Sequence, residues 1–149
     1  MGFPFANENR DSLSRLEALF TSLGDHDFAK RTSFGWTVSA VIAHLGYWDQ
    51  RMLIILRRWQ ERGLDASPVD ADAVNDAMRP LCEAIEPRKA VQLCLASAAE
   101  LNAAFEALSS EEYEHIRSHA EQTGTQFRMN RSLHRDDHLA HLQAALVAA

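Results

Sequence analysis

The stretch TVSAVIAHLGYWDQRMLIILRRWQER, Thr37 to Arg62, decides the fold class. Thr37 is an N-cap candidate, no Gly-Pro break follows, and Gly63 stands where a helix would stop. Within it Val41, Leu45, Trp48 and Met52 recur at spacings that place them on or near one helical face, with His44 at the margin of that stripe. About 25 residues at about 1.5 Å each span close to 40 Å, enough to cross a whole domain.

The helical pattern continues on both sides. From Asn7 to Leu23 the apolar positions Leu13, Leu16, Leu19, Phe20 and Leu23 predict a first helix, with Gly24 as its stop, and a polar connector DHDFAKRTSFG leads to Trp36. Beyond Gly63, LDASPVD reads as a loop. Asp70 caps a short helix through ADAVNDAM, which Pro80 is expected to interrupt or restart. Glu86-Pro87 opens another, carrying Val91, Leu93 or Cys94, Ala98, Leu101, Phe105 and Leu108 and ending near Ser109 and Ser110. The segment EEYEHIRSHAEQTGTQF has a mixed signal. Asn130 or Ser132 then caps a last helix through LHRDDHLAHLQAALVAA. No segment alternates as a strand does. The expectation is an all-α, four-helix bundle with one or two additional short helices, one domain over residues 1–149.

Composition narrows the function classes. The chain has 149 residues, 15 basic and 21 acidic, for a formal charge of -6. Scattered basic residues on an acidic chain argue against nucleic acid as a partner, and Arg51, Arg57, Arg58 and Arg62 read as the solvated edge of a helix. The longest mostly apolar run, Met52 to Leu56, is far short of the about 20 residues a membrane span needs. No membrane span and no secretory signal are expected, so the expected localisation is cytoplasmic. Cys82 and Cys94, twelve apart, suit buried reduced thiols rather than a redox or zinc motif.

Chemistry is concentrated in seven histidines: His26, His44, His115, His119, His134, His138 and His141. His134 and His138 are four apart, stacked on one helical face with about 5–6 Å between Cβ atoms, and can share one ion. His44 from the long facing helix would complete a set of three, leaving a fourth position for water. Spacing also allows His138 with His141 as the pair, or His141 as a support behind a ligand. Plain exposed or capped histidines fit the same spacing. His115 and His119 form a competing pair among charged neighbours, which reads as a solvated face. Asp49, Asp136 and Asp137 are candidates to orient an imidazole or act as a base. Asp136 and Asp137 suit surface positions, and Asp49 lies about 140° around the helix from His44. Trp36, Tyr47 and Trp48 are candidates for a pocket wall or for plain core. Asn75 is placed to reach the mouth of the site or simply to start a helix.

GWTVSAVIAHLGYWDQRML, with Trp36 before a capped helix, His44-Leu45 and Trp48-Asp49, resembles the second-helix segment of the DinB-like (DinB/YfiT) superfamily. NRSLHRDDHLAHL resembles its last-helix segment, and the run around Val74-Asn75 is similar too. The two blocks cover about thirty residues, in the order and at the chain length that superfamily shows. The resemblance implies a four-helix bundle, a homodimer, and a histidine triad of His44, His134 and His138 holding a divalent metal ion, Zn²⁺ or Ni²⁺. His141 departs from the commonest pattern. It further implies either a metal-dependent hydrolase or a thiol-dependent S-transferase or isomerase. Such an enzyme would use a metal-activated water or a low-molecular-weight thiol cosubstrate on an unnamed small-molecule substrate. The alternative is a non-catalytic, metal- or ligand-binding homodimeric stress-response module.

Overall fold

The computed structural model describes residues 2–148. Six α-helices follow one another: α1 (Ala6–Thr21), α2 (Val38–Arg62), α3 (Ala71–Ala84), α4 (Pro87–Glu106), α5 (Ser110–Thr123) and α6 (Ser132–Val147), with a 3₁₀ turn over Asp25–Ala29. Among the described residues the one β feature is an isolated bridge between Arg31 and Thr37. α2 packs on α4 and α6, and α1 packs on the same two helices, so these four close the bundle. α3 lies against α2. No described helix is long and apolar enough to cross a membrane.

Local chemistry accounts for most helix ends. Thr37 Oγ1 accepts the Ala40 N–H at 3.1 Å and starts α2. Its end falls at Gly63, whose φ of +92° suits a residue without Cβ. Ser109 and Glu112 form a reciprocal capping box, so the mixed segment after Ser109 is a regular helix.

Two expectations need correcting. α3 does not break at Pro80 but runs through it to Ala84. A proline there removes one N–H and kinks a helix, a cost offset by burying Met78 and Cys82 against the bundle. The start of α6 is held neither by an Asn130 cap at the first turn nor by a Ser132 N-cap. The N-cap is Arg131, and the orphan N–H groups of Arg131 and Ser132 go to Oδ1 of Asn9 on α1, at 2.7 and 3.2 Å. Asn130 contributes only a supporting contact to Ser132, at 3.2 Å from its N–H and 2.5 Å from its hydroxyl.

The core has two apolar clusters. One gathers Leu16, Phe20, Val38, Val41, Leu45 and Leu142; the other gathers Met52, Leu56, Trp59, Leu101 and Phe105. α2 and α4 approach closely at Gly46, where an added Cβ would sit 3.2 Å from the Cys94 backbone. Both cysteines are buried free thiols, and burial pushes the Cys82 thiol up to about 11 and raises Cys94 as well.

Candidate metal centre

Between the two clusters α2 carries Asp49, 2% exposed. A buried carboxylate needs cationic partners and hydrogen bonds, and both come from α6 and the residue before it. Arg131 Nε donates to Asp49 Oδ1 at 2.8 Å, while Arg135 donates to Oδ2 through Nε at 3.1 Å and Nη2 at 2.9 Å. Arg135 is fully buried, and its Nη1 is satisfied by the Asn9 carbonyl, Ser12 Oγ and Asn102 Oδ1 at 3.0 to 3.2 Å. The two guanidiniums and one carboxylate leave a net positive charge inside the bundle.

This network fixes how α6 faces α2, and with it the histidines. The His44 ring lies 4.8 Å from that of His138 and 5.4 Å from that of His134, and the His134 and His138 rings are 4.9 Å apart. One donor atom from each of the three falls within 4.8 Å of the others. His44 is buried with Trp36 and Trp48 edge-on at 5.4 and 6.4 Å. Its Nδ1 and Ser39 Oγ are the two buried side-chain polar atoms without a hydrogen-bond partner among the described residues. A native core rarely tolerates such an orphan without a ligand, ion or water to meet it.

Electrostatics keep the three rings neutral. Burial lowers His44 to about 3, helped by repulsion from His138 and Arg131. His134 falls to about 2 through burial, then through the Arg131 cation. Burial and the neighbouring His141 lower His138. Neutral imidazoles are the form that ligates a metal. Three neutral histidines with an orphaned ring nitrogen therefore fit a divalent ion of borderline softness.

The triad opens onto a cavity of about 910 Å³. Trp36, Val41, Trp48 and Met52 give it an apolar wall; Asp72, Asn75 and Asp76 of α3 and Arg128 and Arg131 give it polar margins. Trp48 Nε1 donates to Asn75 Oδ1 at 3.0 Å, so Asn75 stands at the cavity and holds the indole in place. Arg79 stacks over Trp36 at 5.7 Å and donates to the Gly35 carbonyl at 2.9 Å, fixing the loop before α2.

Other sequence candidates find different places. Asp136 pairs with Arg15 through two hydrogen bonds of 3.0 and 2.8 Å on the surface, and Asp137 is exposed at the cavity margin. Asp49 does not touch His44; it reaches His134 only through Arg131. Tyr47 is exposed and stands outside the cavity wall. Arg51 is not a solvated edge, since it donates to the Gln126 and Ser67 carbonyls at 2.9 and 3.0 Å. His115 is exposed, but His119 is partly buried, edge-on to Trp59 at 5.1 Å and 2.7 Å from the Asp65 carbonyl. It ties a loop down and faces no second histidine site. Asn9, Arg131 and Arg135 stand outside the candidates that motif and spacing single out. For Arg135 a signal existed, because Arg135, Leu139 and Leu142 share one helical face and all three are buried.

An all-helical bundle with three histidines lining a cavity defines the class of protein. The family described as "Mycothiol maleylpyruvate isomerase N-terminal domain" matches residues 10–145, and the chain belongs to it. That family is DinB/YfiT-like, so the resemblance in the two histidine blocks holds across nearly the whole chain. Neither a search of curated proteins nor one of solved structures gave a match.

Proposed function

We propose that this chain is a metal-dependent enzyme in which His44, His134 and His138 hold one divalent ion, Zn²⁺ or Ni²⁺, at the floor of the cavity. The observation that carries the reading is the orphaned, buried Nδ1 of His44 within a set of three neutral histidines whose donor atoms lie within 4.8 Å of one another. Three protein ligands leave a coordination position open, as catalytic zinc sites do, whereas structural sites close it with a fourth side chain. A bound ion of this kind supplies Lewis acidity and lowers the pKa of a water or thiol.

The chain's own residues do the rest. Trp36, Trp48 and Met52 exclude water from one side of the cavity, and Asn75 holds Trp48. Arg128 and Arg131 offer positive charge to an anionic group of a small substrate, in a lining that also holds the carboxylates Asp72 and Asp76. The reaction class that follows is thiol-dependent S-transfer or isomerisation with a low-molecular-weight thiol, or metal-dependent hydrolysis. The family membership favours the thiol-dependent branch. The proposal includes the homodimer that the resemblance implies, which sedimentation equilibrium tests.

Elemental analysis of tag-free protein beside the His44→Ala variant tests the centre. Near-stoichiometric metal in the parent, and its loss or marked weakening in the variant, support the reading. No metal in either, after incubation with Zn²⁺ or Ni²⁺, overturns it and leaves the non-catalytic module.

A further inference from the structure

His141 belongs to no part of the centre described so far, yet its surroundings are unlike those of a surface histidine. Its Nδ1 lies 3.4 Å from Nδ1 of His138, one turn back on α6. Phe34, from the loop before α2, stands edge-on to both rings, at 5.0 Å from His141 and 6.4 Å from His138. Asp137 completes the group, with one donor atom from each of Asp137, His138 and His141 within 4.8 Å of the others. Two nitrogens bound to one tetrahedral ion at about 2.0–2.1 Å are separated by about 3.3 Å. The His138–His141 pair already stands at that separation, and of the two only His138 lines the cavity.

We propose that Asp137, His138 and His141 form a second, outer site for a borderline divalent transition-metal ion, used in alternation with the inner triad because the two sites share His138. The donor set, two imidazoles and one carboxylate, suits Zn²⁺ or a neighbouring transition metal rather than Ca²⁺ or Mg²⁺, which take oxygen ligands. The alternation follows from the ring itself. A neutral imidazole has one nitrogen with a free lone pair, the other bearing the proton, so His138 serves one ion at a time. Serving two at once would need loss of its second proton. When the inner set holds the ion, the outer pair reverts to a hydrogen bond between His138 and His141. When the outer set holds it, His44 and His134 are released. The outer position is the one nearer solvent, since Asp137 is exposed and His44 is buried. An ion arriving from solution therefore meets the outer set first.

The inference rests on the proposed inner centre for the alternation but not for the outer site, and Zn²⁺ titration of tag-free protein against a chromophoric chelator separates the two. Wild type is expected to bind one ion per chain, and His141→Ala to retain it in the inner set. His44→Ala is expected to keep a weaker ion that the His44→Ala/His141→Ala double variant loses. His134→Ala provides a second way of disabling the inner set should the buried His44 position not tolerate change. No binding by either inner-set variant, or residual binding that survives removal of His141, overturns the outer site while leaving the inner centre standing. Two ions bound at once by wild type overturn the alternation. An ion lost with His141→Ala but not with His44→Ala would instead overturn the inner centre and keep the outer one.

Discussion

Arg131 Nη2 lies 3.2 Å from Nδ1 of His134, while the same guanidinium holds Asp49 through its Nε at 2.8 Å. A guanidinium only donates, so Nδ1 of His134 accepts and its ring proton sits on Nε2 in the metal-free chain. An ion taken at Nε2 sends that proton to Nδ1, which then no longer accepts from Arg131; one taken at Nδ1 displaces Arg131 directly. Either way a fixed cation stands beside the candidate ligand, where a carboxylate or carbonyl usually stands. Arg131→Gln removes this charge and leaves Asp49 with Arg135. The expected outcome is a gain in Zn²⁺ affinity of about tenfold or more, given the several kcal/mol a nearby charge exerts on a divalent ion at an effective dielectric of about 20. Competition titration with a chelator measures it; a weakened affinity would show that Arg131 helps to hold the centre, and an unchanged one that its charge does not act on the ion.

Among the described residues Asp49 is the carboxylate bonded to both buried arginines, Arg131 and Arg135. Asp49→Asn keeps the shape and removes the charge, leaving both guanidiniums uncompensated. The expected loss is about 3–5 kcal/mol in urea unfolding. A loss under about 1 kcal/mol would mean that the network is hydrated rather than closed.

Asn9 caps α6 from another helix, and its Nδ2 also donates to the Met129 carbonyl at 2.9 Å. Asn9→Ala is expected to cost about 2 kcal/mol, since it strips a cap and leaves two N–H groups and a carbonyl without that partner. Amide exchange should quicken first in the opening turn of α6, which carries His134. Uniform quickening along the chain would contradict a local capping role.

The three inward histidines make the metal-free protein acid-sensitive in a defined direction. Their folded pKa values lie below the unfolded value of about 6.5, at about 3 for His44 and about 2 for His134. Below about pH 6.5 the unfolded chain takes up protons that the folded chain refuses, so stability falls as pH falls through that point and is flat above about pH 7.5. Thermal melts across this range should show the slope, and His134→Ala should reduce it. A profile unchanged by that substitution would assign the acid sensitivity to other groups.

The helices and much of the site were legible from residues close in sequence. Thr37, Gly63 and Pro87 mark helix ends because a cap or stop acts on N–H and carbonyl groups within four residues of it. His134 and His138 could be paired for the same reason, since one helical turn brings them together whatever surrounds them. The two histidine blocks then suggested His44 as their partner.

Tertiary structure alone decided the rest. Asp49 meets its arginines across 82 and 86 residues, and Asn9 caps α6 across 122. No periodicity encodes such a meeting; it depends on the rotation of α6 against α1 and α2, which packing of the whole core sets. The same rotation turns Arg135 inward and Asp136 outward, though both are charged neighbours on one helix. It also brings Phe34 from a distant loop over His138 and His141. Sequence determines which side chains can share a helical face, because that geometry repeats every turn. Only the packed bundle determines which face each helix turns toward the others.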